Sequence, residues 1–193
     1  MTNYIFDIGN VLLAYEPLPY LEAHFLHPQD LFELIAKSKE WLMLDEGTIT
    51  YEEAIVHFIQ RRPDLKDEII KYMNTWTNVL IPMQDHIQVM KALKQGHPVY
   101  LLSNFHKDAF LKVEKQYDFL RNVDGKIISA FVHLLKPDPR IYETLCETYS
   151  LDPHDCVFID DSLPNIEAAQ ALGIKTIHMV KGLDLKEAIK AYD

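Results

Sequence analysis

Three apolar runs in this 193-residue sequence stop at side chains able to do chemistry. Tyr4-Ile5-Phe6 runs into Asp7, Leu101-Leu102 into Ser103-Asn104, and Phe158-Ile159 into Asp160-Asp161. A fourth place, Lys136-Pro137, stands before a helical pattern. Carboxylates at the ends of buried strands are costly to desolvate unaided, so a cation is expected among them. A cluster of hard oxygen ligands that keeps several waters suits Mg2+, which also favours phosphate partners. Each place alone has a plainer reading. Asp160-Asp161-Ser162 before Leu163-Pro164 could be helix capping with proline in the first turn. Ser103-Asn104 could equally be a cap pair, and Lys136-Pro137-Asp138-Pro139 a loop entering a helix. The order and context of all four together carry the chemical reading.

The elements that must position these residues follow from the pattern of the chain. Tyr4–Phe6 reads as a short buried strand, and comparable runs recur at 98–102, 126–131, 156–159 and 174–179. Continuous apolar runs of strand-forming residues suit a parallel sheet covered on both faces. Between them lie helical patterns at 82–95, 106–120, 138–149 and 163–172, with Gly96 and Gly173 as stops. Such alternation means an open parallel α/β sheet, in which ligands bind at the carboxyl ends of the strands. Residues 16–80 break the alternation and read as all-helical, with candidate helices at 20–25, 28–44, 51–62 and 64–77 and a capping box at Thr50 and Glu53. The expected organisation is an α/β core from residues 1–15 and 81–193 with a helical insert at 16–80, substrate binding between the two.

Composition narrows the function class. Hydrophobic residues make up 48% and charged residues 25%, ordinary for a globular chain. A net charge of -10 offers no basic excess to displace counterions from nucleic acid. No stretch approaches the roughly 20 apolar residues of a membrane helix. The start of the chain lacks the basic and apolar segments of a signal peptide, so a cytoplasmic protein is expected. Cys146 and Cys156 form no Cys-x-x-Cys pattern and read as small buried apolar side chains. The nine histidines are scattered, without a His-Glu-x-x-His zinc pattern. The expected partner is a small phosphorylated metabolite. A monomer is compatible with the sequence, which does not specify oligomeric state.

Taken together, Phe6-Asp7-Ile8-Gly9-Asn10-Val11, Leu102-Ser103-Asn104, Lys136-Pro137 and Phe158-Ile159-Asp160-Asp161-Ser162-Leu163-Pro164-Asn165 resemble, in order, the four motifs of the haloacid dehalogenase-like (HAD) superfamily. The resemblance covers nearly the whole chain. It implies a doubly wound parallel α/β core with a small all-helical cap inserted after the first strand. It implies a Mg2+-dependent phosphatase working through an aspartyl-phosphate. Asp7 is then the nucleophile. Asp7, the Gly9 carbonyl and Asp161 hold the metal, and Asp160 is a holder of metal-bound water. Ser103 and the Asn104 N–H bind phosphoryl oxygens together with Gly9 and Asn10, Lys136 balances charge, and Asn165 orients the acidic pair.

One departure matters. Phosphatases that are similar usually carry a second Asp two positions after the nucleophile, which protonates the leaving group; here that position is Gly9. General acid catalysis is typically worth about 10²–10⁴-fold. Glycine suits a chain that approaches a metal closely or adopts unusual backbone angles. One reading is a substrate with a good leaving group, as in a sugar 1-phosphate; the Asp-x-Gly-Asn pattern resembles a sugar-1-phosphate phosphatase subgroup. Alternatively a cap carboxylate, Asp45 or Glu46, substitutes, although 41–47 also reads as a solvated loop before a turn at Gly47-Thr48. A third reading is a weak or idle family member that binds a phosphorylated ligand or partner. His106 reads as a helix-start residue or a substrate contact. A dehalogenase would leave Asp161 unexplained, because that chemistry needs no metal.

Overall fold

A computed structural model describes residues 1–192. Seven strands are present among them: β1 (Asn3–Phe6), β2 (Leu13–Ala14), β3 (Ile81–Pro82), β4 (Val99–Ser103), β5 (Gly125–Ile128), β6 (Cys156–Asp160) and β7 (Lys175–His178). Five form one parallel sheet in the order β5-β4-β1-β6-β7. β1 sits at its centre, pairing Phe6 with Leu101 on one side and with Ile159 on the other. The chain winds outward from β1 in both directions, which is the doubly wound arrangement expected from the alternating pattern. Every residue of β4 and β6 is buried, because helices cover both faces.

The two faces carry separate cores. One contains Ile5, Leu102 and Phe158 against Ile141, Tyr142 and Ile166. The other contains Tyr4, Phe6, Leu101 and Ile159, and is continuous with apolar residues of the helical insert such as Trp41, Phe58 and Trp76. β2 and β3 pair antiparallel, Leu13 with Pro82 and Ala14 with Ile81. This ribbon ties the exit and the return of the insert together, so its helices sit over the end of β1 where Asp7 lies.

The insert begins with helix Pro17–His24 and continues with Tyr51–Arg61 and Lys66–Thr75. Thr50 and Glu53 form the expected reciprocal capping box, with bonds of 3.2 and 2.7 Å. The single helix expected over 28–44 is divided. A short helix Pro28–Leu31 runs into a π-helical turn at Phe32–Ala36, and a new helix starts at Lys39 and ends at Glu46. Ser38 makes the break: its hydroxyl donates to the Ile35 carbonyl at 2.7 Å and accepts from the Trp41 N–H at 3.0 Å. Serine thus offers the backbone local bonds that compete with a continuous helix. The run at 126–131 is likewise shorter as a strand, since a helical turn at Ser129–Val132 follows β5.

Candidate active site

The carboxyl ends of β1, β4 and β6 meet at one cavity of about 210 Å3. Asp7, Ser103, Asn104, Lys136, Asp161 and Asn165 all line it, as do Gly9 and Asn10. A groove of about 960 Å3 between helices Gln84–Leu93 and Leu185–Ile189 is larger, yet none of the strand-end residues reaches it.

Lys136 is the hub. Its ammonium stands 2.8 Å from Asp7 Oδ1 and 2.6 Å from Asp160 Oδ2, with the side chain almost wholly buried. Burial disfavours its charge, but Asp7 and Asp160 together hold its pKa above the ordinary lysine value. Asp7 is pushed up to about 6: burial dominates, Lys136 opposes it, Asp160 adds to it, and hydrogen bonds from Lys136 and Ser103 pull it back. Above that value Asp7 is an anion beside a fixed cation, the form a nucleophile needs.

Asp160 is fully buried, and its hydrogen bonds come from three residues. Besides Lys136, it accepts the Ser162 N–H at 2.8 Å, and Asn165 Nδ2 reaches both oxygens at 3.1 Å. The local reading of Asp160-Asp161-Ser162 as simple caps is therefore not what forms: Ser162 makes no side-chain cap bond to the helix Leu163–Ala171. Asp161 instead accepts from Asn10 Nδ2 at 3.0 Å. Asn10, at φ 53°, also accepts the Tyr15 N–H at 2.9 Å. Its amide is thus engaged at both ends in positioning Asp161. Asn104 behaves similarly, clasping the Lys136 backbone through Nδ2 to O at 3.0 Å and N to Oδ1 at 2.8 Å. This clasp fixes where the lysine enters the cavity.

Asp7, Asp160 and Asp161 each bring one carboxylate oxygen within 4.8 Å of the others. With the bonds to Asp160 already made, the ligand atoms open to a cation are those of Asp7 and Asp161. Gly9 adopts no left-handed backbone, and a Cβ there would meet only Asp7 Oδ2 at 3.8 Å. The special backbone angles expected of this glycine are not used, and a side chain would fit.

One side of the cavity comes from the insert, through Trp41, Asp45, Trp76 and Leu80, with Tyr15 and Phe105 of the core beside them; of these, only Asp45 stood out in the sequence. Residues 41–46 are not a solvated loop; they are the last turns of helix Lys39–Glu46, closed by Gly47 at φ 73°. The helical spacing of Trp41 and Asp45, four apart, is the one signal that could have placed both on the same face. His106 is buried, with its ring 4.2 Å from Trp41 and its Nε2 3.2 Å from Asp45 Oδ1. That approach is too poorly aligned for a hydrogen bond, so both ring nitrogens lack a partner. Burial lowers the histidine to about 3, so it is neutral at ordinary pH.

Comparison with known proteins gives this arrangement a context. The chain is 28% identical over 181 residues to the sesquiterpene phosphatase astK of Aspergillus oryzae, covering 93% of this chain and 90% of that protein. It is 24% identical over 140 residues to (S)-2-haloacid dehalogenase 4A of Burkholderia cepacia, covering 72% of this chain and 58% of that one. Among solved structures, a HAD family enzyme of Bacteroides thetaiotaomicron in complex with magnesium and inorganic phosphate is similar in fold, with a TM-score of 0.76 at 23% identity over 97% of this chain and 98% of that one. A description of the haloacid dehalogenase-like hydrolases matches residues 1–173, nine-tenths of the length and every strand-end residue at the cavity, and on that ground the chain belongs to this family of hydrolases.

Proposed function

We propose that this hydrolase is a Mg2+-dependent phosphatase of a small phosphate monoester that works through a phosphorylated Asp7. The observation that carries the reading is the buried Asp7–Lys136–Asp160 triad beside Asp161. Such a set places an anionic nucleophile, a fixed cation and hard oxygen ligands around one small volume. The Asp7 and Asp161 carboxylates and the Gly9 carbonyl would hold Mg2+, a hard cation suited to oxygen donors and phosphate. When bound, it supplies charge that lets one anion approach another.

Asp7 attacks phosphorus in line with the ester oxygen and takes the phosphoryl group, and water then releases inorganic phosphate. This divides one difficult displacement into two easier ones. Ser103 and Lys136 hold the phosphoryl oxygens, and Lys136 offsets the charge that develops in the transition state. Asp160 and Asn165 keep the ammonium aimed at Asp7, while Asn10 keeps Asp161 in place.

The named relatives include a phosphatase and a dehalogenase, and the metal-suited pair Asp7 and Asp161 favours the first, because haloacid hydrolysis needs no metal. The Asp-x-Gly-Asn pattern at Asp7 to Asn10 makes a sugar 1-phosphate the first ester to try, and the aromatic rings of Tyr15, Trp41 and Trp76 along the cavity suit the face of a sugar ring. The test is phosphate release from glucose 1-phosphate, glucose 6-phosphate, a prenyl phosphate and an aryl phosphate. It is run with Mg2+, with EDTA, and with Asp7→Asn. Release that needs Mg2+ and disappears in Asp7→Asn is expected. No release from any ester by folded protein would refute the reading and favour a binding role.

A further inference from the structure

We infer that Asp45, from the helical insert, is the proton donor for the leaving group and then the base for the attacking water. The inference rests on the phosphatase reading above and supplies the group that Gly9 lacks.

The geometry comes first. Asp45 lines the same cavity as Asp7, Ser103 and Lys136, but from the insert helix rather than from the sheet, on the cap side of the cavity. In-line attack by Asp7 pushes the leaving oxygen away from the core and toward that side. The other titratable groups of the cavity are committed elsewhere. Asp7 is the nucleophile, Lys136 is held between two carboxylates, and Asp161 is fixed by Asn10 on the metal side. Tyr15, the remaining one, holds its proton more firmly than an ordinary tyrosine because it is buried.

Asp45 is also anchored. Its carbonyl accepts from the Ser129 hydroxyl, and Ser129 Oγ in turn accepts the Phe105 N–H at 2.9 Å, two residues beyond Ser103. Beside it, His133 Nδ1 meets the Glu46 carbonyl at 3.0 Å. A Cβ on Gly47 would meet the Ala130 carbonyl at 2.4 Å, so helix and core lie in direct backbone contact. The turn that carries Asp45 is therefore fixed to the loop that follows Ser103.

Two physical effects keep the acid protonated. It sits in the last turn of a helix, where the macrodipole disfavours negative charge. Burial, with Asp7 facing it, raises its pKa to about 8, and the neutral His106 beside it supplies no compensating cation.

In the first step an Asp7 oxygen bonds to phosphorus and the ester P–O bond breaks. The electron pair passes to the leaving oxygen, which takes the proton of Asp45. In the second step water bonds to phosphorus and gives a proton to the Asp45 carboxylate. The P–O bond to Asp7 then breaks, and both aspartates return to their starting states.

The test compares wild type, Asp45→Asn and Asp7→Asn with Mg2+ on two kinds of ester. One is glucose 6-phosphate or another alkyl phosphate, whose leaving alkoxide needs a proton; the other is an aryl phosphate with an acidic phenol, which does not. Asp45→Asn is expected to lose about 10²–10⁴-fold in kcat on the first kind and far less on the second. Retained aryl turnover also shows that the variant is folded. An equal loss on both kinds would make Asp45 a structural residue and overturn the inference, as would no loss on either. Absence of wild-type release from every ester, or release that survives Asp7→Asn, would instead refute the phosphatase reading and take this inference with it.

Discussion

Lys136→Met removes a cation of nearly the same length from between two buried carboxylates. The side chains of Lys136, Asp7 and Asp160 are 2%, 10% and 0% exposed, so water only poorly replaces the lost partner. Breaking a buried ion pair from one side costs about 3–5 kcal/mol, because it leaves uncompensated charge in a low dielectric. With an m-value of about 2–3 kcal/mol/M, that is a fall of roughly 1–2 M in the urea midpoint. Acid should narrow the gap. In the wild type the raised lysine pKa means its contribution is fully present at neutral pH and below. In the variant Asp7, already raised to about 6, has lost its cation, so the folded state takes up its proton more readily as pH falls through that range and the deficit shrinks. Urea unfolding of both proteins at neutral and acid pH measures this. A variant within about 0.5 kcal/mol of wild type, or a gap that widens on acidification, would refute the placement of Lys136 as the charge hub.

Two further outcomes follow from the site. Gly47→Ala forces a left-handed residue with its Cβ against the Ala130 carbonyl, so thermal unfolding should shift down by a few degrees for a cost of about 1–3 kcal/mol, and turnover should fall with the displaced Asp45; an unchanged midpoint would contradict the close docking of helix and core. In the pH profile of turnover, the acid limb reflects Asp7, which must lose its proton through about 6, or lower with Mg2+ beside it. The alkaline limb reflects Asp45, which must keep its proton up to about 8; the groups facing it are neutral His106, protonated Tyr15 and Asp7. That limb should vanish in Asp45→Asn.

The strand ends were legible because local rules set them. An apolar run that stops at Asp7, Ser103 or Asp160 marks both a buried strand and the place where its side chains leave the sheet. The alternation of runs and helical patterns was enough for the doubly wound sheet, and the helical insert showed as the segment where alternation stops. What the sequence did not show depends on partners far along the chain. The side-chain amides of Asn10 and Asn104 carry no local sign of their partners, Asp161 and the Lys136 backbone, which lie 151 and 32 residues away. The break at Ser38 turns on one hydroxyl choosing the Ile35 carbonyl and the Trp41 N–H over solvent. Asp45 reads in sequence either as a solvated carboxylate before a turn or as a cap acid facing the site; contact of Ser129 and Ala130 with the end of its helix makes it a largely covered acid lining the cavity of Asp7. Local periodicity fixes which face of an element is apolar, whereas burial, and with it the protonation of a carboxylate, is fixed by what packs against that face.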